Sequence, residues 1–209
     1  QVCLEVSNLS CLNNEGRKVL DNINFEAYSG EILGIAGISG CGQKELLESI
    51  AGLQATTPGS SVLYHADEEA DTEQLIGMNP RKIRELGVTL SFIPEDRLGM
   101  GLIGSMGMTG NMLLRNYGVG HSIFVETKSA KKLAEQILNE LEVVTPSINT
   151  PVRKLSGGNV QKVLVGREIA AAPKVLLTAY AVRGLDINTS YTIYNLLNEQ
   201  KKRGVAVVY

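Results

Sequence analysis

The stretch that most restricts the fold of this chain is a glycine-rich loop between two apolar segments. Residues 31–36 predict a buried strand and residues 45–52 predict a helix. Gly37, Gly40 and Gly42 lie between them. Glycines let successive backbone N–H groups turn inward, and the N-terminus of a helix adds positive potential. A strand, a glycine loop and a helix in this order predict a loop that binds phosphate groups.

The residues that follow the last glycine depart from the usual pattern of such loops. A phosphate-binding loop normally continues with lysine and then serine or threonine, but this chain has Gln43 and Lys44. Lys44 cannot replace the missing lysine, because one helical step turns a side chain by about 100°. We therefore expect the loop to bind nucleotide weakly or to hold it without turnover. The predicted nucleotide-binding residues are Gly37, Ser39, Gly40, Cys41, Gly42, Gln43 and Lys44.

Composition and charge exclude several classes of function. The chain has 209 residues and a net charge of −2, so no basic field favours nucleic acid. No apolar run is long enough to span a membrane. Three cysteines, odd in number and without metal-ligand spacing, indicate reduced thiols in a cytosolic protein. The missing initial methionine and the apolar ending at residues 204–209 suggest a fragment of a longer polypeptide.

The order of the remaining elements predicts an α/β fold. Alternating patterns predict the early strands at residues 2–6, 22–28 and 61–64. Further strands are predicted at residues 87–93, 174–178 and 204–209, and helices at 79–86, 127–143, 155–171 and 187–203. Because strands alternate with helices after the first 65 residues, we expect a mainly parallel, covered sheet.

Residues 98–120 are rich in glycine and carry four methionines, Met100, Met106, Met108 and Met112. Glycine loops with adaptable methionine side chains suit a surface that meets a partner. The same composition also suits a mobile loop whose methionines fill gaps in a small lobe. Both interpretations remain open at the level of sequence.

The acidic run and Cys41 do not by themselves indicate a functional site. The acidic run at Asp67, Glu68, Glu69, Asp71 and Glu73 is typical of a solvated loop rather than a cation site, and we predict no metal site. Cys41 could be reactive among the loop N–H groups. Since no base or second cysteine lies nearby in the sequence, we expect it only to occupy a variable loop position.

Two motifs that follow the glycine loop identify a family resemblance. Leu155, Ser156, Gly157 and Gly158 open a predicted helix, and a Gly-Leu-Asp motif follows the next strand. Taken alone, the first motif could be a helix N-cap formed by Ser156. Together with the glycine loop, in this order and spacing, the motifs resemble the ATP-binding cassette family over essentially the whole chain.

The resemblance implies a P-loop NTPase fold of the cassette type. Its core is a RecA-like parallel sheet with an antiparallel β subdomain and an inserted α-helical lobe. We expect one nucleotide-binding domain over residues 1–209. Residues 1–95 and 163–209 would form the nucleotide-binding core, and residues 96–162 the helical lobe with the signature motif.

A narrower resemblance rests on residues 93–97, 145–152, 155–162 and 183–186. They look like the second, C-terminal cassette of fused ATPase subunits that drive bacterial monosaccharide importers. The nucleoside importers that use basic-membrane-lipoprotein binding proteins are the most similar. The implied partners are the N-terminal cassette, a transmembrane permease and, indirectly, an extracytoplasmic binding protein, and the implied location is the cytoplasmic face of the membrane.

The family resemblance also implies roles for particular residues. The signature motif would meet the γ-phosphate of an ATP bound to the partner cassette; its residues are Leu155, Ser156, Gly157, Gly158 and Asn159. The D-loop, Gly184, Leu185 and Asp186, would lie at the same interface. Glu95 occupies the Q-loop position, where the family senses nucleotide and touches the permease.

The predicted strand at residues 174–178 lacks the carboxylates that such a family carries. Ala179 and Tyr180 stand where aspartate and glutamate would support Mg²⁺ and the attacking water. Loss of one such contact typically lowers the rate by about 10²–10³. We therefore expect no catalytic residue in this site, weak or unhydrolysed ATP, and Mg²⁺ only with the partner site. Two alternatives remain, namely an independently active ATPase and a structural half-cassette that binds no nucleotide.

Overall fold

The computed structural model describes residues 1–38, 40–65, 72–85, 90–116 and 127–209. Ser39 of the glycine loop and residues 67–71 of the acidic run lie outside these ranges. The chain divides into two compact units. The sheet unit comprises residues 1–92, 172–180 and 196–209, and the helical unit comprises residues 93–171 and 181–195. The functional division into core and signature lobe remains a prediction.

The strands and helices that the sequence predicts occur in the predicted order, with one short strand and one helix added to them. The strands are β1 (Val2–Leu12), β2 (Lys18–Tyr28), β3 (Ile32–Leu33), β4 (Ser61–His65), β5 (Thr72–Gln74), β6 (Leu90–Ile93), β7 (Val175–Thr178) and β8 (Ala206–Val208). The α-helices are α1 (Gln43–Ile50), α2 (Pro80–Glu85), α3 (Met108–Asn116), α4 (Thr127–Glu140), α5 (Gly157–Ala170) and α6 (Ile187–Lys202). Strand β5 was not predicted, because its three residues are too short for a periodic signal.

An antiparallel sheet with the order β2-β1-β4-β5 forms one part of the sheet unit. Strands β1 and β2 are longer than predicted, and their pairing shifts register between Val6 and Leu9. Asn8 and Asn22 adopt positive φ angles of 52° and 53° there. Asparagine tolerates this conformation, so an irregular pair of strands can continue past the point where the simple alternation ends.

A second sheet has the order β3-β8-β7-β6, and β8 pairs in parallel with both β3 and β7. All residues of β7 and β8 are buried, as expected for parallel strands covered on both faces. Strand β3 is shorter than the predicted run of residues 31–36. Its pairing ends soon after the amide of Ile35 donates to the carbonyl of Tyr209 at 2.7 Å, because the chain then turns into the glycine loop.

One hydrophobic core joins both sheets to α1. It includes residues of β1, β4, β7 and β8 together with Leu46, Leu47 and Ile50 of the helix. Helix α1 begins at Gln43, directly after the last glycine of the loop, and therefore two residues earlier than predicted. The core thus holds the start of α1 close to the end of the parallel sheet.

The helical unit is built on α5, which is buried along most of its length. The predicted helix at residues 127–143 is present as α4, and its buried face carries Ala130, Ala134 and Ile137. Gly166 of α5 allows these two helices to approach closely. A Cβ atom at Gly166 would lie 2.9 Å from Cγ2 of Ile137 and 3.0 Å from Cδ1 of Leu141.

Residues 98–116 are not the glycine loop that their composition suggests. The segment begins with a π-helical turn, Arg97–Gly101, and ends with α3. Asp96 caps the turn by accepting hydrogen bonds from the amides of Leu98 and Gly99. The methionines divide between the two proposed roles: Met108 and Met112 are fully buried, whereas Met100 and Met106 are exposed. Residues 117–120 lie outside the described ranges.

The described residues contain neither a membrane-spanning helix nor a cluster of metal ligands. None of their helices is long and apolar enough to cross a bilayer. Within the same ranges, no group of three or more histidine, cysteine, aspartate or glutamate side chains is arranged to hold a metal ion.

Candidate nucleotide loop and signature helix

The glycines of the loop allow backbone conformations and contacts that other residues would not. Gly40 and Gly42 have φ angles of 82° and 99°. A Cβ atom at Gly42 would lie 2.8 Å from the carbonyl oxygen of Val19, and one at Gly37 would lie 2.3 Å from Sγ of Cys41. The loop therefore folds tightly at both ends, and the Cys41 side chain uses the space above Gly37. The thiol of Cys41 is exposed.

The N-terminus of α1 retains the features that attract anions. Gly42 is the N-cap residue, and no side chain caps the helix. The first amide groups of an α-helix have no acceptor within the helix, and the helix dipole makes this end positive. The backbone at this end of α1 therefore has the polarity that a phosphate group requires.

The side chain of Gln43 is held by the protein itself. The Tyr180 hydroxyl donates a hydrogen bond of 2.6 Å to Oε1 of Gln43. The amide nitrogen Nε2 of Gln43 donates to the carbonyl oxygen of Ile35 at 3.3 Å. The two residues that the sequence analysis assigns to the lysine and glutamate positions are therefore in direct contact.

Lys44 contributes its charge elsewhere. Its Nζ atom lies 3.8 Å from Oε1 of Glu48, one turn along α1. Burial raises the pKa of Glu48, and the nearby ammonium group of Lys44 opposes that shift. The lysine thus pairs with its own helix instead of extending over the loop.

A cavity of about 250 Å³ adjoins the loop within the sheet unit. Its walls include Gly37, Gln43, Thr178, Ala179 and Tyr180. The hydroxyl of Thr178 is buried and has no hydrogen-bond partner among the described residues. Mg²⁺ requires several oxygen ligands in octahedral geometry, and these walls carry no carboxylate. The described residues of the loop and the cavity therefore do not fit a magnesium ion.

The signature motif lies at the exposed N-terminus of α5 in the helical unit. Ser156 is the N-cap residue, and its hydroxyl oxygen accepts from the backbone amide of Asn159 at 3.4 Å. The Asn159 side-chain amide donates to the same oxygen at 2.9 Å. Because a hydroxyl has two lone pairs and one proton, only the proton remains available for a further hydrogen bond.

Two glycines follow Ser156, and each permits a close contact. A Cβ atom at Gly157 would lie 3.3 Å from Nη1 of Arg97, and one at Gly158 would lie 3.1 Å from Oγ1 of Thr189. The glycines thus allow the segments that carry Arg97 and Thr189 to approach the start of α5.

Asn159 also stabilises the fold of the helical unit. Its Oδ1 atom accepts a hydrogen bond of 2.9 Å from the amide of Val144. Lys162, one turn further along α5, donates to the carbonyl oxygen of Glu142 at 3.3 Å. The side chains of α5 therefore hold the chain that leaves α4, a role that the motif alone did not indicate.

Asp186 of the predicted D-loop caps α6. Its carboxylate accepts from the amide of Thr189 at 2.9 Å and from the Thr189 hydroxyl at 2.7 Å. These hydrogen bonds lower the pKa of Asp186 below its ordinary value. Gly184, two residues earlier, adopts a φ of 70° in the turn that leads into the helix.

Glu95, at the predicted Q-loop position, forms an ion pair with Arg183. The guanidinium group of Arg97 donates to the backbone carbonyl of Arg183. Partial burial lowers the pKa of Arg97. Arg183 had no predicted role of its own, and no pattern in the sequence signals that it meets a residue 88 positions away.

Asn111 is a further residue that the sequence interpretation missed. Its side chain is fully buried in the helical unit. The amide accepts from Ile103 N at 2.8 Å and donates to Ile103 O at 3.2 Å and to Gly107 O at 3.0 Å. An asparagine between apolar positions of α3 was the only available signal. The side chain fixes residues 103–107 against α3.

A glycine loop at the end of a parallel sheet and a serine-capped glycine helix on a helical unit define a nucleotide-binding cassette. Solved structures show the same fold. The dimeric post-hydrolysis structure of the ATP-binding cassette MJ0796 with ADP and Pi is 22% identical, with a TM-score of 0.80, and the match covers 98% of this chain and 86% of that one. The ADP conformation of the cassette MJ1267 is 20% identical, with a TM-score of 0.73, over 100% and 80%.

The family model for ABC transporters matches residues 20–178, and the chain belongs to this family. The xylose import ATP-binding protein XylG of Thermoanaerobacter pseudethanolicus is 36% identical over all of this chain and 40% of its own length. The guanosine import ATP-binding protein NupO of Bacillus subtilis is 34% identical, over 98% of this chain and 39% of its own length. The chain therefore spans about two fifths of these relatives.

Proposed function

We propose that this chain is a nucleotide-binding domain of an ABC importer for sugars or nucleosides. Relatives named for xylose, guanosine and ribose import are 32–36% identical to it over nearly its whole length. Because the identities are so similar, the proposal names the class of cargo and not one molecule. An extracytoplasmic binding protein would deliver the cargo to a permease that this domain serves from the cytoplasmic face.

We further propose that the domain is the second cassette of a fused subunit. The chain covers only 38–40% of these relatives, which leaves room for another cassette of similar size. In such a subunit, the signature motif of each cassette completes the ATP site on the other. The partner of this chain would then be the N-terminal cassette, with an intact loop that binds ATP and Mg²⁺.

The observation that carries this proposal is the hydrogen bonding of Ser156. Asn159 saturates the lone pairs of the hydroxyl oxygen, so that Ser156 can act only as a donor. A donor beside the first amides of α5, at the positive end of that helix, suits an oxyanion. A γ-phosphate presented by the partner cassette provides oxyanions of this kind.

The domain's own loop would contribute little turnover. It retains the backbone groups that bind phosphate, but the chain offers Gln43, Ala179 and Tyr180 where phosphoryl transfer needs charge and metal ligands. The pairing of Lys44 with Glu48 opposes the alternative of an independent ATPase, since that alternative needs the Lys44 ammonium group over the loop.

The exposed apolar residues after Glu95 provide a contact surface for the permease. We call them the lobe patch: Leu98, Met100, Ile103, Met106 and Leu114. Each is between 39% and 45% exposed, which is unusual for so many large apolar side chains within one short segment. Methionines adapt their shape to a partner, and this suits a contact that changes during transport.

ATP turnover by the two-cassette subunit tests the proposal. Ser156→Arg introduces a bulky cation at the N-terminus of α5 and should abolish most turnover. Asn139→Arg on the exposed face of α4 is the matched control, because it adds the same charge to the same unit. Turnover that survives in Ser156→Arg would show that this signature motif is idle, and the composite site would have to be abandoned.

A further inference from the structure

A short side-chain hydrogen bond joins the two residues that stand at the replaced positions of this domain's nucleotide loop. Tyr180 donates to Oε1 of Gln43 at 2.6 Å, and Gln43 donates in turn to the carbonyl of Ile35. The two contacts engage both ends of the Gln43 amide. We call this chain of hydrogen bonds, from Tyr180 through Gln43 to Ile35, the loop latch.

The loop latch engages the side chain of Gln43, which a bound nucleotide would need as a hydrogen-bond donor. In phosphate-binding loops, the residue after the last glycine points its head group at the β- and γ-phosphates. Phosphate oxygens accept hydrogen bonds, so Gln43 can serve them only through its N–H groups. In the structure, Nε2 faces the Ile35 carbonyl and lies 3.1 Å from the position of a Cβ atom on Gly37. The Gln43 head group is therefore turned back over the loop.

The backbone of Tyr180 indicates that its position is held by its surroundings. Its φ angle of 52° is left-handed, a conformation that a bulky residue adopts only where other contacts support it. The hydrogen bond to Gln43 is one such contact. Ala179, the preceding residue, is buried and small, so the turn after β7 brings the Tyr180 ring to the loop without a competing side chain.

We propose that the loop latch makes this site reject nucleotides that carry β- and γ-phosphates, and that Tyr180 determines this selectivity. A di- or triphosphate must break the Tyr180–Gln43 hydrogen bond before Gln43 can turn toward it. Gln43 is neutral and Lys44 is paired with Glu48, so neither side chain offers a free cation that would compensate for the broken hydrogen bond. The inference rests on the proposed function only in treating the loop as a former nucleotide site.

A cavity adjoins the loop latch within the sheet unit. Thr178, Ala179 and Tyr180 line it together with Gly37 and Gln43. The buried hydroxyl of Thr178 has no partner among the described residues and would be free to donate to a ligand oxygen. Opening the loop latch would therefore release Nε2 of Gln43 beside a cavity that Thr178 also lines.

Tyr180→Phe tests the proposal because it removes only the hydroxyl. The 209-residue chain is titrated by calorimetry with ATP in the presence of Mg²⁺, with ADP, and with AMP, which lacks the β- and γ-phosphates. We expect affinity for ATP and ADP to rise about fivefold, the effect of removing one competing neutral hydrogen bond. Affinity for AMP should not change. Tyr28→Phe is the matched control, because the Tyr28 hydroxyl also bonds to a neighbouring side chain of the sheet unit, Glu26.

Each other result would overturn the proposal. Unchanged or weaker ATP binding in Tyr180→Phe, including no detectable binding in either protein, would show that the loop latch is not the barrier. An equal gain for AMP, or an equal gain in Tyr28→Phe, would show that phosphate selectivity does not arise from this hydrogen bond.

The outcome is independent of the test of the signature motif. If Tyr180→Phe has no effect while Ser156→Arg abolishes turnover, the loop latch is refuted and the composite site remains. If Tyr180→Phe gains ATP affinity while Ser156→Arg keeps full turnover, the proposed function is refuted and the loop latch remains. Gln43→Lys combined with Tyr180→Phe should raise ATP affinity further, because it adds a cation to an opened loop.

Discussion

Glu95 forms an ion pair with Arg183, a residue 88 positions further along the chain. Arg97 donates to the carbonyl of the same arginine, so that Arg183 is held through both its side chain and its backbone. The turn at Gly184 and the cap residue Asp186 follow directly. A carboxylate that the family resemblance assigns to nucleotide sensing thus stabilises, in this structure, the chain that leads into α6.

We predict a small coupling energy between Glu95 and Arg183. Their side chains are 34% and 61% exposed, and exposed ion pairs typically contribute about 0.2–1 kcal/mol. A double-mutant cycle with Glu95→Gln and Arg183→Gln, followed by urea denaturation, should give a value in this range. The value should fall at high salt because the pair is screened. A coupling above about 2 kcal/mol would contradict this account.

A second prediction separates the structural role of Ser156 from its proposed role in binding phosphate. Ser156→Ala removes the N-cap of α5 and should lower the free energy of unfolding by about 0.5–2 kcal/mol. Ser156→Asp keeps a capping oxygen for the Asn159 amide and should leave stability nearly unchanged. The added negative charge would nevertheless repel a γ-phosphate, so Ser156→Asp should abolish turnover in the two-cassette subunit.

The two substitutions therefore form a matched pair for Ser156. Equilibrium denaturation gives the stability of each variant, and turnover of the whole subunit gives its activity. If activity follows stability, with Ser156→Ala impaired more than Ser156→Asp, the motif acts only as a helix cap. If Ser156→Asp is stable but inactive, the hydroxyl proton serves a ligand.

A third prediction concerns Asn111, whose buried amide holds the partly exposed turn at residues 103–107 against α3. Asn111→Ala leaves the amide of Ile103 and the carbonyls of Ile103 and Gly107 without this partner. Because the turn residues are partly exposed, water can replace some of these hydrogen bonds, and we expect a loss of about 1–3 kcal/mol in unfolding free energy. Denaturation in urea measures it.

Asn139→Ala is the control for Asn111→Ala. Asn139 is exposed on α4, where a surface substitution should change stability by less than about 0.5 kcal/mol. Similar losses in both variants would mean that the turn at residues 103–107 does not depend on the buried amide.

The sequence predicted the elements that have a strong local signal. The glycine loop, the amphipathic helix α4 and the helix that follows Ser156 all occur where local pattern placed them, because periodicity and capping act over a few residues. Residues 98–116 were predicted as a loop because glycine disfavours helices, although the segment contains two short helical segments. Those glycines serve close contacts instead: a Cβ atom at Gly107 would lie 2.6 Å from Cα of Asn149.

The contacts within the site could not be predicted in the same way. Gln43 and Tyr180 are recognisable as replacements from the motifs alone, but their hydrogen bond joins residues 137 positions apart. The same holds for Glu95 and Arg183. Side-chain pairs of this kind depend on tertiary packing, which leaves no period or spacing in the sequence. The double use of Asn159, as a partner of Ser156 and of Val144, is a further example.

A final prediction follows from the lowered pKa of Asp186. Hydrogen bonds from Thr189 favour the charged carboxylate in the folded state, whereas the unfolded chain has the ordinary pKa of about 3.9. Below that pH the unfolded state binds more protons, so this contribution to stability is complete above about pH 4 and is lost as the pH falls through the folded-state pKa. Asn at this position is also a good N-cap but cannot titrate.

Asp186→Asn therefore isolates the titration of Asp186 from the other carboxylates, which both proteins share. The difference in unfolding free energy between wild type and Asp186→Asn should be constant from pH 7 to pH 5. Between pH 4 and pH 2.5 it should shift against the wild type, because only the wild type loses a charged cap. Urea denaturation at pH 7, 5 and 3 measures the difference. A difference that stays flat at pH 3 would mean that the Asp186 carboxylate is not preferentially stabilised by Thr189 in the folded protein.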